Sequence, residues 1–195
     1  YQLSVAASGT GIWEWDLVTD QLFCSRAFME MMEIDLGTLA TTPDGLGDGF
    51  YMDAAAFEDF DLRLHPSDRV ARERALRALM RNRTPLDLVL RVRARSGEYR
   101  HYHTHGDAVW DENGRAIRCV GTMTDVTKLK AAELAAQKSH AFLDAIVNAI
   151  PNPIVVKDRN LRWSMMNEAF ARSFELNSRT AIGKTDQELL PADVV

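Results

Sequence analysis

The chain has 195 residues, 46% of them hydrophobic and 26% charged, a balance that excludes disordered and fibrous proteins. Its formal net charge of -5 argues against a nucleic-acid partner, because neutralising phosphates requires a concentrated basic surface. No run approaches the roughly 18 consecutive apolar residues of a membrane span. Cys24 and Cys119 lie far apart and match no metal or redox spacing. We therefore expect a cytoplasmic globular protein.

The N-terminal part of the chain predicts a strand pair followed by a helix and a loop. Residues 1–10 are expected to form a helical lead-in. Alternating apolar and polar residues predict strands over residues 11–17 and 21–24, joined by a tight turn. The period then changes at Ser25, which can act as an N-cap, so a short helix should follow. Residues 35–53 are rich in Gly, Thr, Pro and Asp and predict a loop insertion.

The next part predicts two helices and then three strands. The helices are expected over residues 54–64 and 66–82, the second opened by a proline at its first turn. The arginines of the second helix fall at helical spacing and predict a solvated face. Gly-containing turns separate strands over residues 86–95, 98–110 and 115–126. Together these elements predict an α+β domain with a five-stranded antiparallel sheet flanked by short helices.

A second, shorter unit follows a helix. Residues 128–149 carry Ala, Lys and Leu without Gly or Pro and predict a linker helix, which two prolines then end. Residues 150–195 repeat the strand, turn, strand and helix order of the first unit, with Asn167 as the expected helix cap. Because the chain begins without Met and stops inside this unit, we expect it to be a piece of a longer protein.

Four segments in this order resemble the PAS family of α/β sensor domains. They are Gly-Ile-Trp-Glu-Trp-Asp at 11–16, Leu-His-Pro-Ser-Asp at 64–68, Gly-Glu-Tyr-Arg at 97–100 and Gly-Thr-Met-Thr-Asp-Val-Thr at 121–127. The resemblance implies a complete PAS sensory domain over residues 11–127. Residues 150–195 are similar to the N-terminal part of a second PAS domain, which ends before its last three strands.

The resemblance also implies a route for a signal. In the family, an Asp at the end of the last strand accepts hydrogen bonds from backbone N–H groups, and a following Thr caps the outgoing helix. Asp125 and Thr127 match these positions. Small shifts of the sheet would then change the direction of the helix, so both residues are expected to take part in signal relay.

The hollow between sheet and helices is the expected ligand site. The candidate lining residues are Trp13, Trp15, Phe28, Tyr102, Cys119 and Gly121. Each of them can equally serve as plain core. The sequence requires no cofactor; it leaves a small molecule, a flavin and haem open as occupants, although it lacks the cysteine motif of the flavin-adduct PAS proteins.

The sequence contexts of the histidines favour structural roles over metal binding or phosphorylation. His101, His103 and His105 share one face of a predicted strand, and a solvated sheet face is favoured over a metal site. His65 is expected to cap the helix that follows it or to pair with Asp68, and a structural role is favoured over ligand chemistry. His140 lacks the flanking residues of a phospho-accepting histidine and is interpreted as a linker-helix residue. No metal site and no catalytic residues are predicted.

The sequence therefore predicts a non-catalytic sensory module that passes a ligand or redox signal through the linker helix to an output domain in the same parent chain. A histidine kinase and a cyclic-dinucleotide enzyme fit that output equally. Apolar positions on the linker helix suit parallel pairing in a homodimer. Two alternatives stay open: a ligand-free interaction and dimerisation platform, and a regulatory domain that holds a flavin or haem.

Overall fold

A tight turn joins the first two strands, β1 (Thr10–Asp16) and β2 (Gln21–Ser25). The carboxylate of Asp16 closes the turn by accepting hydrogen bonds from the N–H groups of Val18 and Thr19, both at 2.9 Å. Asp20 supplies the left-handed conformation that the turn needs, with φ of 58°. The predicted hairpin is confirmed. The computed structural model describes residues 9–34, 49–53 and 58–189, so the lead-in predicted for residues 1–10 lies almost wholly outside the described residues.

Helix α1 (Arg26–Met31) begins where predicted, because the Ser25 hydroxyl accepts from the N–H of Phe28 at 3.3 Å. The same oxygen accepts from the N–H of Ile12 at 2.9 Å and so ties the helix to β1. Phe28 and Met29 on this helix are fully buried. The hydroxyl therefore fixes both the start of the helix and its packing against the sheet.

The loop prediction for residues 35–53 is wrong at its C-terminal end. Strand β3 (Gly49–Asp53) pairs antiparallel with β2, and its Phe50 and Met52 are buried. The edge of β2 offers unpaired backbone groups, and pairing with them outweighs the weak strand propensity of a Gly-rich segment. The rest of the predicted loop lies outside the described residues.

Two helices cross the inner face of the sheet: α2 (Glu58–Arg63) and α3 (Pro66–Asn82). Helix α3 has the predicted bounds. His65 caps it, with Nδ1 accepting from the N–H of Ser67 at 3.2 Å, which confirms the structural role predicted for that residue. Asp68 in the first turn of α3 accepts three hydrogen bonds from Arg91, at 2.6, 2.8 and 2.9 Å. This pair joins α3 to the neighbouring strand.

Three long strands complete the sheet: β4 (Leu86–Arg93), β5 (Tyr99–Trp110) and β6 (Ala116–Asp125). The sheet has the order β3-β2-β1-β6-β5-β4, and every pair is antiparallel. The α+β class with an antiparallel sheet flanked by helices is thus confirmed, with six strands rather than the predicted five because β3 joins the edge.

The chain divides into two compact units, residues Tyr1–Ala131 and Ala132–Val195, with the boundary inside helix α4 (Thr127–Ala149). The second unit continues with elements that follow the predicted order: β7 (Val155–Lys157), β8 (Trp163–Met166), α5 (Glu168–Ser173), α6 (Ser178–Ala181) and α7 (Asp186–Leu189). Trp163, Met166, Phe170 and Ala181 form its core.

The two units share one hydrogen-bond arrangement. In the second unit, Asn167 Oδ1 accepts from the N–H groups of Ile154 and Phe170, each at 2.9 Å. In both units the acceptor lies 13 residues after its first donor and 3 residues before its second. The internal repeat predicted from element type is therefore present at the level of single hydrogen bonds.

Candidate functional site

A cavity of about 250 Å³ lies between the inner face of the first sheet and the helices that cover it. Four aromatic side chains line it, two from strand β1 and one each from helices α1 and α2: Trp13, Trp15, Phe28 and Phe60. Leu22, Leu76, Leu86, Leu90 and Met123 complete an apolar wall, and Thr104, Asp61 and Arg72 supply the polar groups. An apolar concave site with a few polar groups is the usual form of a small-molecule site.

Trp13 lies flat on the sheet because two neighbouring strands carry glycine beneath it. Gly121 is its partner on β6, and Gly106 is the partner of Gly121 on β5. A Cβ on Gly106 would come within 2.8 Å of Trp13 Cζ2, and one on Gly121 would collide with the same ring and with the carbonyl of His105. The indole N–H donates to the carbonyl of Thr122 at 3.3 Å. One face of the ring is therefore held on the backbone while the side chain lines the cavity.

Trp15 and Phe28 also line the cavity. Trp15 Nε1 donates to Asp20 Oδ1 at 3.0 Å, which ties the indole to the β1–β2 turn. Phe28 is fully buried on α1 and contacts the cavity from the helix side. These two residues and Trp13 are the predicted candidates that the structure brings together in the cavity wall.

Tyr102, Cys119 and Gly121 do not belong to that described lining. Tyr102 is buried in the core, and its hydroxyl donates to the carbonyl of Met31 at 3.1 Å. Its pKa is raised chiefly by burial. Cys119 packs with Leu79 and Leu86, and burial raises its thiol pKa to about 11. Gly121 acts indirectly, by leaving room for Trp13.

The mouth of the cavity carries an ion pair that the sequence interpretation missed. Arg72 Nη1 lies 2.7 Å from Asp61 Oδ1, joining α3 to α2, and the guanidinium lies 5.7 Å from the centroid of the Phe60 ring. The sequence placed Arg72 on a solvated face. Helical spacing could have found it, because Arg72 continues the stripe of Leu76, Leu79 and Met80 by one turn.

The strand that lines the cavity ends at the start of α4. Asp125 Oδ1 accepts from the N–H of Thr127 at 2.8 Å, the type of contact that the resemblance implied. Thr127 differs from the expected cap: its hydroxyl accepts from the N–H of His101 on β5 at 2.9 Å, because that strand edge lies beside the end of β6. The first residue of α4 is thus bonded to two strands.

The three alternating histidines lie on the outer face of β5, opposite the cavity. His103 Nε2 lies 2.6 Å from Asp87 Oδ1, and this hydrogen bond lowers the pKa of Asp87. The Nδ1 atom of His101 is buried and makes no hydrogen bond within the described part of the chain. Over the described residues, no group of three or more His, Cys, Asp and Glu side chains could hold a metal ion.

A membrane-spanning helix is also absent from residues 9–34, 49–53 and 58–189, since none of their helices is both long and apolar enough.

Two family models, both described as the PAS fold, match residues 51–123 and 147–195. The crystal structure of a sensory box histidine kinase/response regulator from Burkholderia thailandensis is 30% identical in sequence. The match covers 73% of this chain and 95% of that one, with a TM-score of 0.54. The chain belongs to the PAS family. The resemblance stated from the four sequence motifs is confirmed, and so is the fold that it implied.

Curated relatives of this PAS chain are much longer. The sensor protein FixL of Bradyrhizobium diazoefficiens is 25% identical over 98% of this chain, and the probable diguanylate cyclase DgcE of Escherichia coli is 23% identical over 93% of it. The chain spans 35% of FixL and 15% of DgcE. With the family match, these relatives identify the chain as a PAS sensory module.

Proposed function

We propose that this chain is a non-catalytic sensor that binds a small molecule in the cavity of its first unit and passes the occupancy of that cavity to α4. One observation carries the proposal. Met123 lines the cavity, and two residues later the same strand ends at Asp125, whose carboxylate holds the first N–H group of α4. A displacement of β6 by a ligand would therefore reach the helix through two residues of strand.

The relay depends on how α4 is attached. Asp125 holds the helix to β6, and Thr127 holds it to β5 through the N–H of His101. The N–H of Val126 also donates to the carbonyl of His101 at 2.8 Å. Because these bonds span two strands, a change in the spacing or twist of β5 and β6 would reorient the first turn of the helix. Asp125 and Thr127 are the proposed relay residues.

The receiver of the signal is proposed from the relatives. FixL is a sensor protein and DgcE a probable diguanylate cyclase, and this chain matches a part of each. We propose an output domain of the kinase or cyclic-dinucleotide kind in the same parent chain, with the two ranked equally.

Homodimer formation through α4 is part of the same proposal. Leu129, Ala132, Ala136, Ser139, Leu143, Ile146 and Ile150 follow the alternating spacing of three and four residues that places them on one side of a helix. No residue of α4 is buried within the part of the chain that the structure describes. A second copy would cover this stripe, and parallel pairing would carry reorientation of both helices to the output domains.

The relay is tested by filling the cavity with a larger side chain and measuring amide hydrogen exchange in α4. Leu90→Phe adds volume to a lining residue and imitates a ligand, so we expect altered amide hydrogen exchange in the first turns of α4. Adding Thr127→Val, which removes the hydroxyl bonded to His101, should abolish the alteration, and Thr127→Ser should restore it. If Leu90→Phe leaves exchange in α4 unchanged while the protein stays folded, the relay proposal is wrong.

One observation favours a second candidate, a ligand-free interaction platform. The polar groups of Trp13, Trp15 and Thr104 all bond to the protein itself, the last by donating to the carbonyl of Thr122 at 3.2 Å. A core satisfied in this way needs no ligand. Native mass spectrometry of the purified chain separates the candidates, since bound small-molecule mass supports the sensor and a dimer without added mass supports the platform.

A flavin or haem has less support. The lining residues named above include neither His nor Cys, the ligands that hold haem iron in globins, peroxidases and P450 enzymes, and only the thioether of Met123 among them could bind the iron. A colourless purified protein is the expected result, and a visible absorbance band would reverse this ranking.

A further inference from the structure

We infer that the cavity takes a small aromatic anion, with Arg72 as the partner of the negative group. This inference rests on the proposed ligand-binding function and specifies its ligand class.

The size of the cavity limits the ligand to one or two rings. Its volume is about 250 Å³. A dry engineered cavity of about 150 Å³ binds benzene, and sites for drug-sized ligands begin near 300 Å³. The cavity thus lies between these sizes and suits a bicyclic molecule.

The shape of the wall favours a flat ring over an aliphatic chain. Trp13 lies directly over Gly106 and Gly121, where an added Cβ would collide with its indole ring. Trp15, Phe28 and Phe60 add three more aromatic surfaces to the lining. Aromatic rings that are offset-stacked or edge-to-face attract each other beyond the effect of the area that they bury. A planar ligand can use such contacts with several of these side chains.

The charge at the mouth favours an anion. The Arg72 side chain is 25% exposed and that of Asp61 is 53% exposed, so the cation is the more enclosed member of the pair. Among the described contacts, one N–H of the Arg72 guanidinium bonds to Asp61. A guanidinium carries five N–H donors in a plane that matches a carboxylate. Arg72 can therefore hold a ligand carboxylate with its other donors, while Asp61 competes from the solvent side.

The binding test compares two probes of nearly equal shape, 2-naphthoate and its uncharged amide, by isothermal titration calorimetry on the whole chain. Arg72→Gln should weaken naphthoate about tenfold or more, the scale of a hydrogen bond to a charged group, and leave the amide unchanged. Asp61→Asn should strengthen naphthoate, because it removes the competing anion. Arg77→Gln is the matched control on the same helix, since Arg77 pairs with the exposed Glu73 outside the cavity.

Circular dichroism must show that each variant is folded. Equal binding of the two probes, or no effect of Arg72→Gln, overturns the anion assignment while leaving the cavity as a ligand site. Tighter binding of the amine 2-naphthylmethylamine than of naphthoate, lost in Asp61→Asn, also overturns it. Absence of binding by every probe overturns the ligand class. The relay proposal fails separately, through the exchange behaviour of α4.

Discussion

The glycine at position 121 on β6 decides where Trp13 lies, because it has no side chain. Gly121 leaves the space that the indole occupies, and an added Cβ would meet both the ring and the carbonyl of His105. The sequence interpretation gave Gly121 a place in the ligand site. In the structure Gly121 instead leaves the space into which the Trp13 ring packs.

Gly121→Ala should lower the free energy of unfolding by about 1–3 kcal/mol, the usual cost of overpacking a filled site. Urea unfolding followed by tryptophan fluorescence measures the change. Thr122→Ala, at the next position on the opposite face of the same strand, is the control and should stay within about 0.5 kcal/mol of the wild type. A Gly121→Ala variant as stable as this control would show that Trp13 is not held against the backbone.

The fully buried side chain of Asn167 has five polar contacts, in which the two hydrogens of Nδ2 serve three carbonyl groups. Besides its two accepted bonds, Nδ2 lies within donor distance of the carbonyls of Val147 at 3.2 Å, Ile150 at 3.1 Å and Asn152 at 2.9 Å. Ser25, its counterpart in the first unit, has a single hydroxyl group and lacks the NH2 group through which Asn167 donates to the preceding segment. The amide therefore attaches the end of α4 to the start of α5 within the second unit.

Asn167→Ser should leave three carbonyl groups without this donor and destabilise the second unit by about 2–4 kcal/mol. We expect faster amide hydrogen exchange over residues 147–154, with exchange in β5 as the internal reference. Asn160→Ser in the β7–β8 turn is the matched control, because the described bond at Asn160 comes from its backbone N–H. Unchanged protection over residues 147–154 would contradict the attachment role.

At the scale of elements, the attachment of α3 to β4 depends on a charged pair. Asp68 is 15% exposed and bonds to Arg91 through both carboxylate oxygens. Hydrogen bonds from Arg91 are the main cause that holds the pKa of Asp68 below its ordinary value. Since the folded pKa is the lower one, the ionised form stabilises the fold at pH above the unfolded pKa of about 3.9.

Asp68→Asn should therefore lower the free energy of unfolding by about 1–3 kcal/mol at neutral pH, the cost of losing hydrogen bonds to a charged group. The difference from the wild type should shrink as the pH falls below about 3.9 and through the lowered folded pKa. Urea unfolding at a series of pH values measures it. Glu73→Gln on the same helix is the control, with almost no effect because its pair with Arg77 is exposed. A penalty that is constant with pH would exclude an ionic origin.

At the scale of the whole molecule, α4 leaves an apolar stripe without a described partner. Leu143 lies on the stripe and is 57% exposed, while Leu134 on the same helix is 50% exposed and lies off it. The proposed homodimer distinguishes these two leucines although their exposure is nearly the same.

Leu143→Lys should convert the dimer to a monomer at micromolar concentration, because a charge would be buried between the paired helices. Leu134→Lys should leave the dimer intact, since this side chain would point to solvent. Sedimentation equilibrium of the two variants and the wild type measures the masses. A monomeric wild type, or equal masses for the two variants, would remove the support for pairing through this stripe.

The sequence by itself determined the elements whose causes are local. Helix α3 has its predicted bounds because proline, cap and periodicity all lie within it, and the hairpin of β1 and β2 follows from alternation and a turn. Trp13, Trp15 and Phe28 are sequence candidates for the hollow that lie in the cavity wall, whereas Tyr102, Cys119 and Gly121 are candidates that lie outside its described lining. Only the tertiary structure decided the rest. Strand β3 exists because β2 has a free edge, and Arg72 reaches the cavity because α3 crosses the sheet there. Such placements depend on contacts between distant residues, which local pattern does not encode.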